Sequence, residues 1–312
     1  MMSRGPTRRT PNFESPNLDD PFTRPQRPFA RVSVVIPTLN EAANLPHVFA
    51  RLPLRDLFEV IIVDGHSTDD TIAIARSLHP EVRVVIQDGV GKGSALACGF
   101  AAARGHVIVM LDADGSTDPA EIPLFLSRLF EGADFAKGSR FALGGGSDDI
   151  TRFRRAGNRF LNGAVNVLYG TSYTDLCYGY NAFWSDVLPT INVDCAGFEV
   201  ETLINVRIAK AGLTISEVGS VEGERLHGVS KLHPARDGLR ALRTILAERF
   251  AAGSSEARTP SFKELARFWD DERPRVPNLT HPGANENAAS RLSSRYHRFR
   301  DEAPRWESSA RG

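Results

Sequence analysis

One pattern recurs along the first third of the chain and limits what it can become. Short apolar runs of four or five residues, rich in Val and Ile, alternate with stretches of helical spacing. The runs are 32–36 (VSVVI), 60–63 (VIIV), 82–86 (VRVVI) and 107–111 (VIVML). The first, ended by Pro37, reads as a buried strand, and the other three as strands. Helices are expected over 44–52, 69–78, 94–104 and 119–130, the second announced by Ser67, Thr68 and Asp69 and the last by Pro119. A weaker fifth strand is expected at 133–137. This alternation specifies βαβ units: an α/β fold with a mostly parallel central sheet and helices on both faces. Right-handed crossovers then bring the C-terminal strand ends to one edge, where such sheets take ligands.

The second half is less regular. Helices are expected at 154–169, 198–211 and 236–250, the last basic and amphipathic, and strands at 180–184 and 214–218. The reading is one domain over 31–250, with a nucleotide-like ligand in its first half and the other substrate in its second. Residues 1–30 read as a disordered arm. Residues 251–312 read as a polar tail carrying one short helix at 261–269. The chain has 312 residues, with 38 Lys+Arg balanced by 38 Asp+Glu, which gives no support for a general nucleic-acid or membrane-surface coat and leaves only local patches, so no nucleic-acid partner is expected. Cys98, Cys177 and Cys195 form neither a disulfide framework nor a zinc motif and suit reduced thiols. No run reaches the roughly 18 apolar residues of a membrane helix, and the N-terminus lacks a signal-peptide core. The expected location is the cytoplasm, with peripheral membrane contact left open.

The polar residues fall at the strand ends. Pro37, Asn40 and Glu41 follow the first strand, Asp64 the second, Gly91-Lys92-Gly93 the third, and Asp112 and Asp114 the fourth. Two carboxylates at i and i+2 off a strand end point the same way and suit Mg²⁺ or Mn²⁺ carrying diphosphate oxygens. They equally suit a turn capping the next helix, since Ser116, Thr117 and Asp118 are good N-cap residues. Asp64 has the same two readings. The GKG turn is not a P-loop, and no GxGxxG follows the first strand. Thr117 at the sixth position disfavours an EF-hand. Gly144–Gly146 reads as a linker or a moving loop. Arg152, Arg154 and Arg155 read as a solvated face or an anion contact. Tyr169, Tyr173, Tyr178 and Tyr180 read as packing.

Taken in order, the strings VVIPTLNE (34–41), IIVDGHSTDDT (61–71), GKGSAL (91–96), VMLDADGSTDP (109–119), KGSR (137–140), TDLCYGYNAF (174–183), FEVETL (198–203) and EV…RLHGVSKL (217–232) resemble the family 2 glycosyltransferases of the GT-A fold. The nearest branch is the dolichol- or polyprenyl-phosphate sugar synthases. The resemblance implies a single GT-A domain and an inverting transfer of one sugar from a nucleotide-diphosphate sugar, with UDP, GDP or dTDP as carrier. It implies that Pro37, Asn40, Glu41, Asp64, Lys92, Asp112 and Arg140 hold the donor and that Asp112 and Asp114 bind Mg²⁺ or Mn²⁺. By the same resemblance Arg140, Arg225 and Lys231 meet phosphates, and Asp175 and Glu201 lie near the acceptor. Two positions depart from the pattern: Asn181 replaces a frequent Arg, and Ser116 a frequent Gln. The Gln-x-x-Arg-Trp string of processive synthases is absent, so one transfer is expected.

The acceptor is left open, a polyprenyl phosphate among the candidates: a lipid phosphate is already an anion and needs no base. A hydroxyl acceptor would need one, with Asp175 the first candidate and Glu201 the second. The alternatives are a transferase acting on a small phosphorylated or hydroxyl acceptor, as in glucosyl-3-phosphoglycerate synthases, and a non-catalytic nucleotide-sugar-binding protein. A sugar nucleotidyltransferase is disfavoured, because PTLNE stands where a Gly-rich, Arg-containing loop belongs.

Overall fold

The computed structural model describes Arg24 and residues 30–251. The rest of the N-terminal arm, and the tail with the helix expected at 261–269, lie outside the described residues. The strands are β1 (Val32–Thr38), β2 (Glu59–Asp64), β3 (Arg83–Ile86), β4 (Val107–Met110), β5 (Phe135–Ser139), β6 (Gly146–Ser147), β7 (Asn181–Trp184), β8 (Ile215–Gly219) and β9 (Val221–Glu222). The helices are α1 (Leu45–Arg51), α2 (Thr71–Leu78), α3 (Lys92–Ala102), α4 (Ile122–Phe130), α5 (Arg152–Tyr169), α6 (Leu188–Ile191), α7 (Val200–Lys210) and α8 (Pro234–Phe250).

The main sheet runs β3-β2-β1-β4-β7-β5-β8. All its neighbours are parallel except β7, which is antiparallel to both β4 and β5. Every residue of β2 and β4 is buried, as expected for apolar runs covered by helices on both faces. The chain steps outward from β1 to β3, then reverses to β4. With right-handed crossovers, that reversal puts α3 on the opposite face from α1 and α2 and opens a crevice between the ends of β1 and β4. Gly99 lets α3 press onto the sheet: a Cβ there would overlap Val35 and lie 2.8 Å from Val63 Cγ2.

The second half hangs from β5, β7 and β8. α5, α7 and α8 enclose a smaller core of Leu161, Val165, Leu176, Val206, Ala241 and Ile245. The two-residue strands β6 and β9 pair with each other, so the segment after Gly144–Gly145 is tied to the chain beyond β8. Tyr173, Tyr178 and Tyr180 are buried and Tyr169 half-buried; Tyr180 stacks on Phe125 with 4.3 Å between centroids, while Tyr178 also borders the cavity described below. Among the described residues no helix is long and apolar enough to cross a membrane.

Candidate active site

A cavity of about 1000 Å³ opens at the C-terminal ends of β1 and β4. Its wall includes Pro37, Glu41, Lys92, Asp112, Asp114, Arg140, Glu201, Arg225 and Lys231, nine of the residues singled out from the sequence. Asn40, Asp64 and Asp175 lie off the wall.

Lys92 opens α3 behind Gly91, whose φ of +95° suits glycine. The turn is pinned by Gly93 N, which donates to Ala196 O at 2.9 Å. The Lys92 ammonium lies 2.6 Å from Asp112 Oδ1 and 2.6 Å from Glu201 Oε1. Burial alone would pull Lys92 down, but these two carboxylates reverse that and raise it well above the ordinary lysine value. Burial also pushes Glu201 up, against the opposing pull of Lys92. Gly179 stands against this triad. A Cβ there would sit 2.9 Å from Lys92 Nζ and 3.2 Å from both Asp112 Oδ2 and Glu201 Oε1.

Asp114 is held differently. Its Oδ1 accepts from Ser116 N at 3.0 Å and Ser116 Oγ at 2.7 Å, so Ser116 orients the carboxylate. Its Oδ2 lies 3.1 Å from Arg225 Nη2. The other arm of Arg225 lies 3.2 Å from Glu41 Oε1. Glu41 also accepts from Asn44 Nδ2 at 2.5 Å. Leu226 N donates to Asp114 O at 3.2 Å, and Lys231 Nζ to Leu39 O at 2.7 Å. The segment after β9 is thereby strapped across the ends of β1 and β4, bringing two cations that lie nearly two hundred residues from Leu39 and Glu41 in sequence.

The residues off the wall have other partners. Asp64 is buried and faces its own turn: Ser67 N donates to Oδ1 at 2.9 Å and Thr38 Oγ1 to Oδ2 at 3.4 Å. That is a turn arrangement and not a helix cap, since α2 starts only at Thr71 with Asp70 at its N-cap. Asn40, at φ +58°, accepts from Thr68 N at 2.7 Å and ties the first loop to the second. Asp175 is fully buried and takes three bonds from Arg140, from Nε at 2.7 Å, Nη2 at 2.9 Å and the backbone N at 3.1 Å, plus Asn158 Nδ2 at 3.0 Å. Burial would raise its carboxyl, but Arg140 and Lys137 outweigh that and hold it below the usual value. Arg140 also reaches Glu222 at 3.0 Å. Asn181 is fully buried in β7, and its amide finds no partner among the described residues.

Sequence reasoning missed Gly179, Glu222 and Asn158. It also missed the apolar part of the cavity lining, made by Phe153, Phe160 and Leu161 of α5 and Leu239 and Leu242 of α8. The basic character of both helices was visible, but which of their side chains face the cavity was not.

Asp112 and Asp114 fit a hard divalent cation. Both offer carboxylate oxygen at a strand end, and the missing side chain of Gly179 keeps Asp112 Oδ2 accessible. Among the described residues no three His, Cys, Asp or Glu side chains form a closed metal cage. Two carboxylates completed by phosphate oxygens and water are a usual Mg²⁺ arrangement.

The comparisons converge on one family. The profile described as Glycosyl transferase family 2 matches residues 33–203. The chain is 33% identical to glycosyltransferase AglJ of Haloferax volcanii over 213 residues, 66% of this chain and 68% of that one. It is 34% identical to polyprenol monophosphomannose synthase of Mycolicibacterium smegmatis, over 69% of this chain and 84% of that one. Among solved structures, the complex of Mycobacterium tuberculosis glucosyl-3-phosphoglycerate synthase with Mn²⁺ and uridine-diphosphate-glucose superposes with a TM-score of 0.56 and 26% identity. The match covers 71% of this chain and 79% of that one. With the strand order, the Asp112/Asp114 edge and these matches together, the chain belongs to glycosyl transferase family 2, a family of glycosyltransferases of the GT-A fold.

Proposed function

We propose that this enzyme moves one sugar from a nucleotide-diphosphate sugar to a lipid phosphate, inverting the anomeric carbon. The observation that carries the reading is the mixed lining of the cavity. Lys92, Asp112, Asp114, Arg225 and Lys231 share one cavity with the apolar side chains Phe153, Phe160 and Leu161 of α5 and Leu239 and Leu242 of α8. The charged residues suit a diphosphate. The apolar ones suit a hydrocarbon chain whose phosphate reaches toward the donor. The relative from M. smegmatis, named for a polyprenol product, supports the same reading.

Asp112 and Asp114 would hold Mg²⁺ or Mn²⁺, which when bound stabilises negative charge on the departing diphosphate. Arg225 and Lys231 add cations on the same side, and Lys92 fixes Asp112 in place. A phosphate acceptor is a nucleophile without losing a proton. Both carboxylates weighed as the base are committed to cations, Asp175 to Arg140 and Glu201 to Lys92, so the geometry favours an acceptor that needs none. The free thiols of Cys98, Cys177 and Cys195 suit a reducing compartment, and the proposal places the reaction at the cytoplasmic face of a membrane.

A second reading, transfer to a small phosphorylated acceptor, draws on the structural similarity to glucosyl-3-phosphoglycerate synthase, one complex of which contains phosphoglyceric acid. The test is incubation with labelled UDP-, GDP- and dTDP-sugars, Mn²⁺, and either a polyprenyl phosphate or 3-phosphoglycerate. Label passing into butanol only with the polyprenyl phosphate is the expected result. Label passing only into a water-soluble phosphoglycerate product would replace this reading with the second.

A further inference from the structure

We propose that the outer faces of α5 and α8 form a docking surface for an anionic lipid bilayer at the mouth of the cavity. On α5, Phe153, Phe160 and Val167 follow one another at seven-residue intervals and are 67%, 63% and 85% exposed. Seven residues are nearly two helical turns, drifting only about 20°, so the three side chains form one stripe. Between them on the same face lie only Ala156, Gly157, Gly163 and Ala164. A Cβ on Gly157 or Gly163 would meet nothing within 4 Å. The buried residues of α5, Asn158, Leu161, Asn162 and Val165, occupy the other side. A soluble helix normally turns its apolar stripe inward, whereas α5 carries a second one outward. α8 repeats the arrangement with Leu239, Leu246 and Phe250 exposed and Asp237, Ala241 and Ile245 buried. The two helices pack together, and Phe153, Phe160 and Leu239 also line the cavity, so both stripes border its opening.

The charges select the partner. α5 holds four arginines and no acidic residue, and α8 four arginines against Asp237 and Glu248, in a chain whose formal charge is zero. Arg152, Arg155, Arg159, Arg236, Arg243 and Arg249 are exposed. An apolar stripe edged with arginine is the pattern of a helix lying in an anionic membrane interface. A second copy of the same face would set like charges against each other. Docked this way, the opening meets the acyl region, and a lipid phosphate reaches the charged edge without leaving the bilayer. This last consequence rests on the acceptor reading above; the surface itself does not.

The test is sedimentation of the full chain with phosphatidylcholine vesicles, with and without phosphatidylglycerol. Transfer to a short-chain, water-soluble polyprenyl phosphate is measured in parallel. Binding that requires phosphatidylglycerol and weakens with salt is expected. The variant V167D/L246D/F250D, at positions off the cavity wall, should lose at least about tenfold in partition while keeping its transfer to the soluble acceptor. R159Q and R243Q should each weaken partition about fivefold. Wild-type protein that ignores anionic vesicles, or variants that bind them unchanged, would overturn the surface and leave the acceptor reading standing. A wild-type dimer that the triple variant splits would overturn it in favour of a second copy. Vesicle binding without transfer to any lipid phosphate would uphold the surface and remove the acceptor reading.

Discussion

Replacing Asp175 by Asn separates two roles for a carboxylate that the sequence alone places near the acceptor. In the structure Asp175 is fully buried, bonded twice to Arg140 through its side chains, and absent from the cavity wall. Asn keeps the shape but removes the charge, and its amide nitrogen would face a guanidinium that has only donors. Breaking one partner of a buried ion pair costs about 3–5 kcal/mol. Arg140 keeps Glu222 at 3.0 Å, so the lower end, about 3 kcal/mol, is expected. For a folded unit of this size that lowers Tm by about 6–12 °C. The assay is urea denaturation beside turnover with a lipid-phosphate acceptor, below the temperature at which the variant unfolds. Lower stability, with turnover per folded molecule within about tenfold of wild type, is predicted, because general-base loss would take about 10²–10⁴. An unchanged urea midpoint with turnover lost over that range would refute the reasoning and restore Asp175 as a base.

Two further outcomes follow from the geometry. Gly179→Ala should fold yet bind a sugar nucleotide and Mn²⁺ at least about tenfold more weakly, since its methyl would push on Lys92, Asp112 and Glu201 together; calorimetry reads this, and unchanged affinity would show that the space beside Asp112 is not used. Burial pulls the Lys137 ammonium down to about 8, against Asp175 and Glu217. The unfolded chain therefore holds one more proton above that pH, up to the ordinary lysine value of 10.5, and stability rises with pH in this window. Buried Tyr173 and Tyr178, whose hydroxyls are pushed up, act in the opposite sense once pH exceeds about 10. The thiols of Cys177 and Cys195, pushed up to about 12 by desolvation, also act in the opposite sense from about pH 9. The Lys137 contribution is therefore read as a difference: between about pH 7 and about pH 9.5 the urea midpoint should change more favourably in the wild type than in Lys137→Met, and an equal change in both would refute it.

The first half of the fold was legible because its signals are local. Val32–Ile36, Val60–Val63 and Val107–Leu111 can be buried on both faces only as strands, and Asp112 and Asp114 are polar where an apolar run stops. β7 was legible as a strand but not as the antiparallel one, because the direction of Asn181–Trp184 is fixed by which neighbours it joins, β4 and β5. β6 and β9, two residues each, carry no periodicity to read. The site divides in the same way. Lys92 and Asp112 stand out by type and by position at a strand or helix end. That Asp175 pairs with Arg140, thirty-five residues away, and Arg225 with Asp114, over a hundred away, depends on tertiary closure. Gly179 was legible only as a glycine among tyrosines, since its contribution is the space it leaves. The outward stripe of α5 hides in the sequence, because the inward face of the same helix satisfies the helical period equally well.

The central claim is that Asp112 and Asp114 take a divalent cation together with the diphosphate of a sugar nucleotide. Titration calorimetry of the full chain with UDP-, GDP- and dTDP-sugars, with Mn²⁺ and with chelator, tests it most directly. At least one sugar nucleotide should bind in the presence of Mn²⁺ and lose at least about tenfold in affinity with chelator or in Asp114→Ala, about 1.4 kcal/mol. No binding by any of them, or binding of equal strength without the cation and without Asp114, would contradict it.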